Sequence, residues 1–149
     1  MGLDDPTRKM SKSYAHIRGH AVRILDEDKE IMRSFKKAVT DSDNEIVFSN
    51  DPAKAGVRNL LGIYQAITGK DNEGVLADFA DARGYGDLKV RVGEAVIAEV
   101  APIRERHKEL MNDPAELDRF LAKGAEQAEA VSQPKVDQMK EIMGLIVPK

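Results

Sequence analysis

Along most of the 149-residue chain, apolar positions recur every three to four residues, the period of helices with one buried face. From about Asp26 to Val39, the residues Ile31, Met32, Phe35, Ala38 and Val39 share such a face. Acidic residues stand at its start and Lys36 and Lys37 near its end, as the helix dipole favours. Asp51-Pro52 supplies an N-cap with proline in the first turn; Val57, Leu60, Leu61, Tyr64 and Ile67 then lead to Gly69, suited to a left-handed stop. A shorter helix is predicted over Asp71 to Arg83, closed by Gly84, with Val75, Leu76, Phe79 and Ala80 inward. A long one follows from about Asp87 to Met111, kinked near Pro102, where proline removes a backbone donor. Asp113-Pro114-Ala115-Glu116 reads as a carboxylate capping box ahead of a stripe formed by Leu117, Phe120, Leu121, Ala125, Ala128 and Val131. Pro134 interrupts or bends this stripe, and Val136, Met139, Ile142 and Met143 resume it up to Gly144. Ile46-Val47-Phe48 suggests one short extended piece, too short to define a sheet. The fold class is all-α, a helical bundle.

Composition supports that class, with 42% hydrophobic and 33% charged residues, few aromatics and no Trp. A chain of this length buries enough surface to fold without a disulfide or metal. The absence of cysteine excludes disulfides and thiolate ligands and fits a cytoplasmic protein. A formal charge of −3 argues against a sequence-blind nucleic-acid coat, so any RNA contact must be local. No apolar run approaches the length of a membrane span.

The chemistry concentrates at the N-terminal end. Met1 to about Ser13 lacks apolar periodicity and reads as a surface loop. In Lys9-Met10-Ser11-Lys12-Ser13 two lysines three apart bracket a hydroxyl-bearing turn. Such a loop can close over a polyphosphate, placing ammonium groups and donors where charge builds as pyrophosphate departs. A soluble polar loop would look the same in isolation. His16 and His20 are four apart, a spacing that on a helix could share a metal; Gly19 weakens the helix and no further ligand accompanies them, so no metal site is assigned. The alternative is a basic patch of His16, Arg18, His20 and Arg23 beside the loop. Arg104, Arg106, His107 and Lys108 alternate with Glu105 and Glu109, as on a solvated helix face, and form a candidate RNA contact whose arginine planes could stack on splayed bases. Arg83, Lys89 and Arg91 are a second candidate group.

The lysine loop, within Gly2-Leu3-Asp4-Asp5-Pro6-Thr7-Arg8, resembles the second signature of class I aminoacyl-tRNA synthetases. Lys36-Lys37-Ala38-Val39-Thr40-Asp41-Ser42, Gly56-Val57-Arg58-Asn59-Leu60-Leu61 and Gly84-Tyr85-Gly86-Asp87-Leu88-Lys89 extend the resemblance to the bacterial tryptophanyl-tRNA synthetase family over essentially the whole chain. In that family a Rossmann-type domain carries a His-Ile-Gly-His-like signature and the tryptophan pocket, and neither appears here. The resemblance therefore implies a C-terminal portion whose Met1 is internal to a longer protein. It implies a loop and connection at residues 1–23, more mobile than the helices, and a helical anticodon-binding domain at residues 24–149. Lys12 and Lys9 would be catalytic; Lys9, Met10, Ser11, Lys12 and Ser13 would meet ATP, with Met10 anchoring the loop against an apolar neighbour. The parent would be a cytoplasmic homodimer using tryptophan, ATP with Mg2+ and tRNA-Trp, with no DNA or membrane partner. This segment would hold no cofactor tightly and would be inactive alone. A tyrosyl-tRNA synthetase is the nearest enzymatic alternative, and a free-standing helical module binding RNA or protein is the alternative from another class.

Overall fold

The helices form where the apolar stripes place them, but partners distant in sequence decide where several of them stop. A computed structural model describes residues 1–14, 16, 17 and 19–145, and of Lys12 the backbone alone. Among the described residues the chain is all-α: α1 (Asp28–Lys36), α2 (Ala55–Thr68), α3 (Asn72–Asp78), α4 (Tyr85–Asn112) and α5 (Pro114–Ile142), with short 3-10 turns at Lys12–Tyr14 and Pro52–Lys54. It divides into two compact units, Met1–Arg104 and Glu105–Lys149. The division expected at 23/24 is not where the chain separates, because Leu3 and His20 are buried within the first unit.

α1 buries Ile31 and Phe35 but ends before Val39. The reason is that the Val39 amide donates to the Leu3 carbonyl at 2.8 Å and so leaves the helical ladder. α2 runs to Gly69 in the left-handed region, as the sequence predicts, and buries Val57, Leu60 and Leu61. α3 stops well short of Arg83. The Arg91 guanidinium takes the Asp78 carbonyl and forks onto Asp81, both at 2.7 Å, and so turns the chain there. α4 begins two residues ahead of Asp87 because the side chain of Asn44 accepts the Tyr85 amide at 2.9 Å, a cap supplied from 41 residues away. Gly84 precedes it at φ 144, with the Asn44 amide packed where a Cβ would stand. Residues 45–48 form no strand; Ile46 and Phe48 pack partly buried against the core instead.

In the second unit Asp113 caps α5 by accepting the Glu116 amide, as the capping box predicts. Pro134 lies inside a helix that continues to Ile142, so the expected interruption is absent. Arg106 pairs with Glu116 at 2.7 Å and lies over the Phe120 ring. The stripe on α5 is not core: no residue of α5 is buried, and its own unit supplies no second layer to cover Phe120, Leu121 or Val131.

One buried cation orders the segment between α1 and α2. Lys54 Nζ, 6% exposed with its residue, lies 3.1 Å from Asp43, 3.4 Å from Glu45 and 3.5 Å from Asp41, while the Tyr85 hydroxyl donates to Asp41 at 2.6 Å. Burial pulls the Lys54 ammonium down, but Asp43, Glu45 and Tyr85 outweigh it and hold it above its usual range. Burial pushes the Asp41 carboxyl up, but the Tyr85 hydroxyl, the Asp43 amide and Lys54 hold it below its usual 3.8. A carboxyl depressed on folding contributes stability that is complete above its unfolded value and is lost as acid protonates it. We therefore expect the thermal midpoint to fall as pH drops below about 4, and the fall to be shallower in Asp41→Asn, whose midpoint at neutral pH is lower. Parallel acid profiles for the two proteins by circular dichroism would refute this role.

Candidate functional site

The lysine loop rises from a base built by Gly2, Leu3 and His20. Leu3, 2% exposed, donates its amide to the His20 carbonyl at 3.0 Å and accepts the Val39 amide, so one residue joins both ends of the loop to the core. His20 is equally buried, and its Nδ1 lies 2.6 Å from Asp4. Gly2 packs so tightly on this imidazole that a Cβ would lie 2.7 Å from its Cε1, which is why the position needs glycine. Asn59 on α2 donates to the Gly2 carbonyl at 3.2 Å.

From this base the chain turns at Asp5, whose carboxylate accepts the Thr7 hydroxyl at 2.6 Å and the Thr7 amide at 3.0 Å and pairs with Arg8 at 3.2 Å. The Thr7 hydroxyl first, then its amide, holds the Asp5 carboxyl below its usual range. The turn delivers Lys9 to the surface, exposed, and drops Met10 back against the core, the anchoring expected of it. Met10 and Val22 line a cleft of about 630 Å³ together with Ile24 and Leu25. The Ser11 Oγ accepts the Ser13 amide at 3.2 Å, and the 3-10 turn Lys12–Tyr14 carries the crest. Tyr14 then lies edge-on to His20, their centroids 5.6 Å apart. The side chain of Lys12 lies outside the described residues. The loop thus offers exposed Lys9 and Ser13 on a fixed base.

The expected patch of His16, Arg18, His20 and Arg23 is not assembled. His20 is buried for a structural purpose, Arg23 is exposed but paired with Asp26 at 2.7 Å, and Arg18 lies outside the described residues; His16 is exposed. The other candidate cations are mostly neutralised. Arg83 pairs with Asp87 at 3.1 Å, an interaction that brings the Asp87 carboxyl down to about 2. Arg91 pairs with Asp81, and Arg104 pairs with Asp28 and donates to the Asp26 carbonyl. Arg106 pairs with Glu109 and Glu116, and Lys108 with Glu105. Lys89 is half-buried, and burial pulls its ammonium below the usual range. An RNA phosphate arriving at the paired cations has to displace a carboxylate first.

The loop, its clamp and the helices around them match a known family. The model of the class I tRNA synthetases (W and Y) covers residues 1–101, and the chain belongs to that family. Within it, the chain is 44% identical to the tryptophan–tRNA ligase of Wolinella succinogenes and 41% identical to that of Helicobacter pylori, over 98% of this chain and 43% of each relative. The crystal structure of tryptophanyl-tRNA synthetase from Mycoplasma pneumoniae superimposes with a TM-score of 0.80 at 25% identity, covering 99% of this chain and 45% of that one. The chain thus spans less than half the length of the relatives it matches.

Sequence reading found the loop and missed its clamp. Gly2-Leu3 ahead of a polar turn was a signal, but the partner, His20, stands 17 residues on and looked like a surface cation. His20→Ala removes the Asp4 contact and the wall behind Gly2. We expect tryptic cleavage at Lys9 to accelerate by roughly tenfold or more, the effect of losing a charge-assisted hydrogen bond on local opening, while α2 keeps its helicity. Unchanged cleavage would remove His20 from the clamp.

Proposed function

We propose that the chain is the C-terminal portion of a tryptophan–tRNA ligase, in which residues 9–13 close over the triphosphate of ATP during tryptophan activation. The observation that carries this reading is a loop fixed at both ends by Leu3 yet presenting Lys9 and Ser13 to solvent. A closing loop needs such a base, because entropy lost in advance is not lost again as the transition state forms. Lysine suits the work, being a compact, strongly hydrated charge on a long arm. Lys12 meets the departing pyrophosphate, Lys9 assists from the near side, and Ser11 with Ser13 hold the loop's shape or donate. Mg2+ arrives with the triphosphate of ATP.

The remaining helices carry the contact to tRNA-Trp, and the enzyme works as a cytoplasmic homodimer. Among the described residues no helix is long and apolar enough to cross a membrane. The tryptophan reading stands ahead of the tyrosine one because the relatives in W. succinogenes and H. pylori are both tryptophan ligases. A free-standing binding module is the remaining alternative. It predicts no dependence of any catalysis on the loop.

The test joins this chain to the N-terminal remainder of the W. succinogenes relative and follows tryptophan-dependent exchange of pyrophosphate into ATP. The chain alone should give none, because the described residues are all-α and include no Rossmann-type domain, which carries the tryptophan pocket in this family. The chimera should be active, and Lys12→Ala should lower its maximal exchange rate by about 100 to 1,000-fold, the usual cost of removing a preorganised donor, with little change in ATP binding. An inactive chimera, or a variant that alters ATP affinity alone, contradicts the proposal.

A further inference from the structure

α1 and the residue after it carry four exposed cations, close together in sequence, that have no carboxylate partner among the described residues. The inner face of α1 is Ile31 and Phe35. Lys29, Arg33, Lys36 and Lys37 follow at intervals of four, three and one residues and so share the opposite face, where all four are solvent-accessible. Among the described residues none of the four forms an ion pair, whereas Arg83, Arg91, Arg104, Arg106 and Lys108 all do. Of the nearby carboxylates, Asp26 holds Arg23 and Asp28 holds Arg104, while Glu27 at the N-cap and Glu30 in the first turn share the cleft with the four cations without forming an ion pair to them among the described residues. Two clefts open along this face. One of about 980 Å³ is lined by Lys29, Arg33, Lys36 and Lys37 with Glu27 and Glu30. The other, about 250 Å³, is lined by Arg33 and Lys37 with His16 from the segment after the lysine loop.

We infer that this face of α1 is where the sugar-phosphate backbone of the tRNA docks, in place of the cations on α4 and its approach. The inference rests on the proposed function for the identity of the RNA. The eight helical steps from Lys29 to Lys37 span about 12 Å, room for a few consecutive phosphates. Unpaired cations meet a phosphate without breaking an ion pair, and the condensed counterions that the RNA then releases drive binding. A cation already held by a carboxylate gains little, because the freed carboxylate is left facing a polyanion. The surface is sequence-blind and sets register; it sits beside the lysine loop on one helix packed into the same core.

The experiment measures binding of the chain to an unmodified tRNA-Trp transcript by fluorescence anisotropy, with salt varied between about 50 and 200 mM. One variant carries Lys29→Gln, Arg33→Gln, Lys36→Gln and Lys37→Gln; a control carries Arg83→Gln, Arg91→Gln and Lys108→Gln. The first should flatten the slope of log affinity against log salt by about 3, and the control by less than about 0.5. Lys36→Glu alone, which leaves every buried contact intact, should flatten it by about 1. Absence of salt-dependent binding by the unmodified chain, or a loss concentrated in the control, overturns the inference. Pyrophosphate exchange is read without RNA, so that result leaves the proposed function standing.

Discussion

The structure depends on the backbone of Leu3, whose amide and carbonyl are both used by residues distant in sequence. The amide meets His20 and the carbonyl meets Val39. Val39 is available because the chain leaves α1 early and passes over α2, where Gly56 has no side chain to keep the Val39 carbonyl away. The next residues are held by Lys54, which gathers Asp41, Asp43 and Glu45 around one buried ammonium. Support therefore runs from the start of α2, through the segment after α1, to the base of the lysine loop. A loop that closes on a charged ligand needs that continuity, since slack at its base would be lost as entropy at every closure.

Local pairing of charge explains where cations remain free. Carboxylates fix Arg83, Arg91 and Arg104 to their own neighbourhoods, setting the end of α3, the start of α4 and the meeting of α4 with the approach to α1. These arginines use their charge to set shape. Exposed ion pairs of this kind contribute little stability individually, but they place backbone turns that apolar packing leaves undetermined. Among the described residues, exposed cations without a carboxylate partner stand on α1 and the loop, and on α5 at Arg119, Lys123 and Lys135.

Local patterns made the helices legible. Gly69 stops α2 and Asp113 caps α5 where their sequences say, because both devices act within a few residues. Ends set at long range were not legible: the Asn44 cap on Tyr85, the Arg91 fork that halts α3 and the Leu3 contact that draws Val39 off α1 each join residues with no periodic relation. The lysine loop was readable because its chemistry is contiguous. Its clamp was not, because a buried histidine paired with aspartate has the same letters as a surface cation. The apolar stripe of α5 was read as core, although periodicity reports amphipathicity and not what lies opposite.

The lysine loop is held at its base by Leu3 and exposed at its crest. Native-state hydrogen exchange on the chain reads this residue by residue. The amides of Leu3 and Val39 should exchange as slowly as those of Leu60 and Leu61, while those of Met10 and Ser11 should exchange at rates near an open chain. Leu3 exchanging as fast as Met10, with order beginning only at α1, would contradict it.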